Sequence, residues 1–267
     1  MTPPTASGRH PDPAFATTLA HGLSVLQTFR HGEPALSNKE LAERTGLSKA
    51  TISRLTYTLL QRGLLLYDGR LRRYRLGPAV LSLSYPLLAS MKIRQLARPL
   101  MKRLADQAGG SASLGMRDGL HMVYLETCRG HDAIAFRPDI GALLPLLASA
   151  MGRAWLAQCD SATATPILQA LRSRDPAGWK RYAPAWERAR GDYARHGYCL
   201  SAGDWHSDVH AVAVPLRRPI DGHVLVFNCG LPASRLKAGE LEGRIAPRLA
   251  QLVARVEVLL ERAERGA

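Results

Sequence analysis

The sequence predicts an α+β protein in two parts: an N-terminal winged helix-turn-helix and, after a linker helix, a C-terminal domain with helices packed on an antiparallel sheet. Three observations carry this. Two short helices with capping signals are separated by one tight turn containing Gly46, and two strand-like runs follow them directly. Further on, strand pairs form around Asp118-Gly119 and Asp221-Gly222, with helical stretches between them. The expected divisions are a disordered arm over 1–15, a winged helix-turn-helix over 16–84, a linker-helix region over 85–95 and a C-terminal α+β domain over 96–267.

Composition sets the frame. The 267 residues are 46% hydrophobic, enough to bury a core. The formal net charge of +14 draws the chain toward polyanions. No apolar run approaches the roughly 18 residues of a membrane span, and the Pro-rich start "MTPPTASGRHPDP" has no apolar core of a signal peptide. A cytoplasmic protein is expected. The four cysteines (Cys128, Cys159, Cys199, Cys229) form no C-x-x-C pair and read as reduced thiols, with no cofactor or thiolate metal site implied.

Element by element, Leu19, Leu23, Leu26 and Phe29 recur at helical spacing and predict helix one with that stripe inward. Ser37 and Glu40 form a capping box that starts helix two, and Gly46 ends it. Ser48 caps helix three, whose inward positions are Ile52, Leu55 and Leu59 and which stops at Gly63. "LLLYDGRLRRYRLG" then reads as a hairpin turning at Asp68-Gly69. The linker follows as two helical runs broken near Pro86, the second ending at Gly109-Gly110. Strands are expected at 111–127, at "DAIAF" (132–136), at "VHAVAVPL" and at "HVLVFNCG"; helices lie over 152–158, 166–172 and 184–195, and an amphipathic helix runs from Ile245 past Leu259.

Residues 44–75 carry eight basic side chains (Arg44, Lys49, Arg54, Arg62, Arg70, Arg72, Arg73, Arg75) against one acid, Asp68. An ordinary solvated face would also be basic, but here charge, helix spacing, tight turn and hairpin coincide on the faces that a winged helix turns to double-stranded DNA. The candidate DNA-binding residues are Ser48, Lys49, Thr51, Ser53, Arg54 and Tyr57 on helix three and Arg70, Arg72 and Arg73 on the wing.

The chain resembles the IclR family of transcriptional regulators. The resemblance runs from about Ala16 to the C-terminus and rests on "NKELAERTGLSKATISRLTYTLLQRGLL", "YRLGPAVLSLS", "GALLPLLASAMGRAWLA" and "RHGYCLSAGDWHSDVHAVAVPL". It implies a GAF-like effector-binding domain, assembly as a homodimer or dimer of dimers, and an effector pocket built partly by the loop entering the helix at "SAMGRAWLA". The chain departs from the family pattern after Gly197-Tyr198, where Ser201, Ala202 and Gly203 precede Asp204, and at Asp208, where a glycine is common.

A helix starting near Met151 leaves free N–H groups suited to a carboxylate, with Gly152 admitting a ligand to the main chain and Arg153 adding charge. Leu143, Leu144, Leu146 and Leu147 would form an apolar wall. Opposite them stand Ser201, Asp204, His206, Ala211, Phe227 and Cys229; with Leu144, Ala150, Met151 and Gly152 these are the candidate effector-binding residues for a small organic or aromatic acid. Gly152 could instead permit close helix packing. Asp204, His206, Asp208 and His210 also admit a metal reading, so the alternative is a DNA-binding regulator whose C-terminal domain is metal-dependent or ligand-free. No G-x-S-x-G, H-E-x-x-H, P-loop or G-x-G-x-x-G motif supports an enzyme. The expected role is a ligand-responsive regulator of a catabolic operon.

Overall fold

The computed structural model describes residues 14–30, 32–130 and 138–265, and the chain divides between Ser90 and Met91 into two units. In the first, α1 (Thr17–Leu26) buries Val25 and brings Gly22 to the side chain of Leu55. The expected stripe is corrected here: Leu19 and Leu23 are exposed, while Leu26 and Phe29 are partly buried against the core. Two stripes at helical spacing were available on this segment, and the narrower one, Gly22, Val25 and Phe29, allows the closer approach of α1 to its neighbour.

The second helix, α2 (Asn38–Thr45), has the expected capping box. Ser37 accepts from the Glu40 N–H while the Glu40 carboxylate accepts from the Ser37 N–H at 2.8 Å. Gly46 ends it in the left-handed region at φ 72°. The third helix, α3 (Lys49–Gln61), starts at Ser48, whose hydroxyl accepts from the Thr51 N–H at 3.1 Å. Its Ile52, Leu55 and Leu59 meet Val25, Leu36, Leu41 and Leu65 in one core, each large aliphatic side chain contributing about 1.5–3 kcal/mol of burial.

The wing is β1 (Leu65–Asp68) paired antiparallel with β2 (Arg73–Leu76), Asp68 opposite Arg73. Its loop is four residues long, Gly69 to Arg72, and not a two-residue turn at Asp68-Gly69. The Asp68 carboxylate accepts from the N–H groups of Arg70 (3.1 Å) and Leu71 (3.0 Å), and Arg72 takes the left-handed conformation at φ 52°. Tyr74 exchanges two main-chain hydrogen bonds with Leu36, which fastens the wing to the start of the helix-turn-helix.

The next helix, α4 (Ala79–Ser90), runs through Pro86, and the break falls at Met91 (φ −80°, ψ 86°). Proline removes the hydrogen bond to Ser82 and crowds that carbonyl, at about 3 kcal/mol. No side chain of α4 is buried, so packing within this chain does not explain why the helix continues past Pro86.

The second unit is a six-stranded antiparallel sheet in the order β5-β4-β3-β8-β7-β6. It begins with α5 (Lys92–Ala108), then β3 (Ser111–Asp118) and β4 (His121–Arg129), which turn at Gly119 and Leu120. A register shift between Leu114 and Gly115 lets Tyr124 and Glu126 face opposite sides of the sheet. Residues 132–136, read as a strand, lie outside the described residues. A three-residue edge strand, β5 (Leu143–Pro145), leads into α6 (Ala150–Gln158), α7 (Ser161–Arg174) and α8 (Pro176–His196). Then come β6 (Cys199–Ala202), β7 (Val209–Pro215) and β8 (Leu225–Pro232), and after a π-turn at Leu241–Ile245 the closing α9 (Ala246–Arg265). The sheet packs α5 and α9 on one face and α6 on the other, with α8 beyond α6. On the α5 side Glu126 is buried between Arg94 (3.0 Å) and Arg98 (2.6 Å).

Candidate functional site

In the helix-turn-helix, local pairing sorts the basic residues. Arg44 holds Glu33 at 2.7 Å, Arg75 holds Asp68 at 2.9 Å, and Arg73 donates to the Ala35 carbonyl at 2.9 Å and sits 3.2 Å from Glu40. Hydrogen bonds from Ser37 hold the Glu40 carboxyl below its usual range, with Arg73 adding to the effect. Arg73, expected to project from the wing, is therefore folded back to brace it. Lys49, Arg54, Arg62, Arg70 and Arg72 have no acidic partner among the described residues, which leaves them available to phosphates.

Three polar candidates on α3 are committed to the fold. Ser48 is the N-cap and its hydroxyl shares a hydrogen bond with Thr51 at 2.9 Å. Ser53 donates to the Lys49 carbonyl at 3.0 Å and accepts from the Asn38 amide at 3.0 Å, tying α2 to α3. Lys49, Arg54 and Tyr57 remain exposed on the outer face, Tyr57 at 64%. A groove between α1 and α3, lined by His21, Thr51, Arg54, Tyr57 and Thr58, runs beside them.

The second unit holds a small cleft at the start of α6. Ser149 and Ala150 stand at one end, Ser201 and Ala211 along one wall, and Leu144 supplies an apolar patch. Trp205 and His206 border it from the loop between β6 and β7, their rings 4.3 Å apart. Across the sheet lie Ser111, Tyr124, Asn228 and Gly230. The Asn228 amide donates to the Tyr124 hydroxyl at 3.1 Å. Burial pushes the Tyr124 phenol up, so it stays neutral.

Five expected ligand residues line this cleft: Leu144, Ala150, Ser201, His206 and Ala211. Five do not, and each has a physical reason. On β8 the expected parity is reversed, since Asn228 and Gly230 face the cleft and Phe227 and Cys229 point to the opposite face. Every residue of β8 is buried, so hydrophobicity could not choose between the faces; the polar Asn228 was the available signal.

Met151 is fully buried with its sulfur packed toward Gly115. A Cβ on Gly152 would lie 2.3 Å from the Leu146 carbonyl oxygen, and the Gly152 N–H is taken by Ser149 at 3.1 Å. The glycine serves close packing, and no ligand reaches the main chain there. Of the expected leucine wall, Leu146 and Leu147 are core and Leu143 is half exposed.

Asp204 is turned away to Arg153. Only 2% of that arginine side chain is exposed; Nη1 lies 2.8 Å from Asp204 Oδ2 and 3.0 Å from the Leu200 carbonyl, and Nε donates to the Leu147 carbonyl at 2.7 Å. Ser201 adds hydrogen bonds to Asp204 and to the Ala148 carbonyl. Arg153 thus anchors the loop bearing Trp205 and His206. Among the described residues no group of three or more His, Cys, Asp or Glu side chains is placed to hold a metal ion, the Asp204 to His210 stretch included.

Two family profiles cover most of the chain: the IclR helix-turn-helix domain over 18–69 and the bacterial transcriptional regulator IclR C-terminal domain over 86–257. The chain belongs to the IclR family. It is a DNA-binding transcriptional regulator of the ligand-responsive IclR type, and the winged helix joined to a GAF-like α+β domain is that family's fold. The regulator TsaQ1/TsaQ2 of Comamonas testosteroni is 33% identical over 238 residues, covering 88% of this chain and 85% of its own. The Pca regulon regulatory protein of Pseudomonas putida is 27% identical over 88% of this chain and 81% of its own. The crystal structure of an IclR family regulator from Brucella abortus superposes with a TM-score of 0.86 at 42% identity, covering 96% of each chain.

Proposed function

We propose that this IclR-family chain binds its operator as a cytoplasmic homodimer or dimer of dimers, and that a small organic acid, aliphatic or aromatic, entering the cleft at α6 controls a catabolic operon. On this reading residues 16–84 do the DNA-binding work, residues 85–95 connect the halves and residues 96–267 hold the ligand. Lys49, Arg54 and Tyr57 face the major groove and Arg70 and Arg72 reach phosphates, while Ser48, Thr51 and Ser53 shape α3 and touch DNA only where their hydroxyls admit a second bond. The chain works by binding alone and catalyses no reaction.

The cleft carries the ligand reading. At the start of the nine-residue α6 the N–H of Ala150, which lines the cleft, has no partner among the described residues, and an apolar and aromatic wall of Leu144, Trp205 and Ala211 stands beside it. A carboxylate suits the first and a carbon body the second. The dimer reading rests on α4, where Leu81, Leu83, Tyr85 and Leu87 are 54–74% exposed on a helix that buries nothing. A second copy packed there would give the helix the partner that its proline demands. No described helix is long and apolar enough to cross a membrane.

Calorimetry with the full chain against a panel of aliphatic and aromatic acids, followed by footprinting of the DNA upstream of its neighbouring genes with and without the binding acid, tests the reading. Binding of one acid with a changed footprint is expected. Failure of every acid to bind overturns it.

A further inference from the structure

One hydroxyl on the outer face of α3 has its hydrogen-bonding capacity almost used up. Ser53 is exposed beside Arg54 and Tyr57, on the face that carries the DNA reading. A serine hydroxyl has one proton and two lone pairs. The proton goes to the Lys49 carbonyl at 3.0 Å, and one lone pair accepts from the amide nitrogen of Asn38, the first residue of α2, at 3.0 Å. Turning that amide over would bring its oxygen to the serine, and the proton would then go to Asn38 or to Lys49. In either arrangement the hydroxyl has no proton left to give and keeps a free lone pair.

We propose that Ser53 reads DNA as an acceptor only, and that Asn38 is the positioning residue that makes it so. This rests on the outer face of α3 entering the major groove. There G presents O6 and N7 and T presents O4, which are acceptors, while the donors are the exocyclic amino groups of A and C. Phosphate oxygens accept as well, so a hydroxyl without a proton to give has no use for them. The contact that suits Ser53 is therefore a base with an amino group in the major groove, A or C. Arg54, next in the chain, carries only donors and takes the complementary set, guanine edges or phosphates. To donate to G or T instead, Ser53 would have to leave the Lys49 carbonyl and turn its lone pair from Asn38, two hydrogen bonds for one. The Asn38 oxygen is buried without a partner among the described residues, so this side chain acts through Ser53 and not at the DNA.

The test selects bound sequences from a random DNA pool with the full-length protein, as wild type and as Ser53→Ala, which removes the hydroxyl and keeps a good helix former. One position is expected where wild type prefers A or C over G and T and where Ser53→Ala has lost that preference. Replacing the base there by its analogue without the amino group, purine for A or 2-pyrimidinone for C, should weaken wild type about three- to tenfold, the worth of one hydrogen bond, and leave Ser53→Ala unchanged. Asn38→Ala frees the hydroxyl to rotate, so it should narrow the preference at that position alone. Equal losses at every position would show that Asn38 only supports the fold and would overturn its positioning role. If Asn38→Ala does not fold, Ser53→Ala and the two analogues still decide the reading of Ser53. A wild-type preference for G or T at the position that Ser53→Ala alters, or no altered position while Lys49→Ala or Arg54→Ala alters one, overturns the inference and leaves the α3 face standing. If none of these variants alters any position, the α3 reading falls and this inference with it.

Discussion

Arg153 Nη1 lies 2.8 Å from Asp204 Oδ2, joining the second turn of α6 to the loop between β6 and β7 through an arginine that is almost wholly buried. Removing one partner of a buried pair leaves the other charge uncompensated, at about 3–5 kcal/mol. Asp204→Ala, which strands the buried Arg153, should therefore lower the stability of the C-terminal unit by roughly that amount in urea unfolding. Asp204→Asn, which can still accept a hydrogen bond, should cost less. Equal stability of Asp204→Ala and wild type would show that the pair is not holding the loop.

Gly152 makes a second prediction at the same helix. A methyl group there would meet the Leu146 main chain at 2.3 to 2.6 Å, and backbone cannot yield as a flexible side chain does. Gly152→Ala should destabilise the C-terminal unit by about 2 kcal/mol or more through overpacking. Thermal unfolding reads the effect, and a variant as stable as wild type would mean that α6 can slide away from Leu146.

Thiol chemistry gives a third. Burial pushes Cys199 and Cys229 up to about 12 and Cys159 up to about 11 from an ordinary 9.0, and it raises Cys128 as well. The thiolate is the reactive form, so iodoacetamide at pH 8 should label the native chain very slowly and label all four cysteines once it is unfolded. Because folding raises these values, their contribution to stability is complete below pH 9 and falls as the pH climbs from 9 toward 12. Alkaline unfolding should begin in that window, which a melting curve across pH 8 to 11 would show.

Local signals were legible in the sequence. The Ser37 to Glu40 box, the Ser48 cap and the Ile52, Leu55, Leu59 face depend on residues within one or two turns, and the structure has all three. What escaped depends on distant partners. Arg153 reads as one more charge until the chain brings Asp204 to it from 51 residues away. The faces of β8 are indistinguishable by hydropathy because both are covered, and β6, at four residues, is too short for alternation to declare it. Pro86 read as a break because its penalty is local, whereas whatever offsets that penalty lies outside the helix.

Leu83 tests the source of that offset. It is 69% exposed on α4, and a glutamate there would place charge in the proposed contact between copies. Leu83→Glu should shift the sedimenting species toward monomer and weaken operator binding, because one winged helix presents too little surface for tight specific binding. An unchanged dimer would move the contact elsewhere.

The wing supplies the last prediction, since it separates arginines that meet DNA from arginines that build the fold. Arg72 is exposed and has no acidic partner among the described residues, whereas Arg73 donates to the Ala35 carbonyl and lies beside Glu40. Each phosphate contact releases condensed counterions, so losing one lowers the salt slope of binding by about 1 and weakens affinity for all sequences alike. Arg72→Ala should do this. Arg73→Ala should leave the slope in place and instead lower the stability of the winged helix by about 1 kcal/mol, the worth of one hydrogen bond to the main chain. Arg54→Ala, on the outer face of α3, should cost about 1–3 kcal/mol at a single base position if it reads a base edge. Operator titrations at several salt concentrations separate the three. If Arg73→Ala lowers the slope as much as Arg72→Ala does, the folded-back arginine is a DNA contact after all, and the pairing with Glu40 is released when the protein binds.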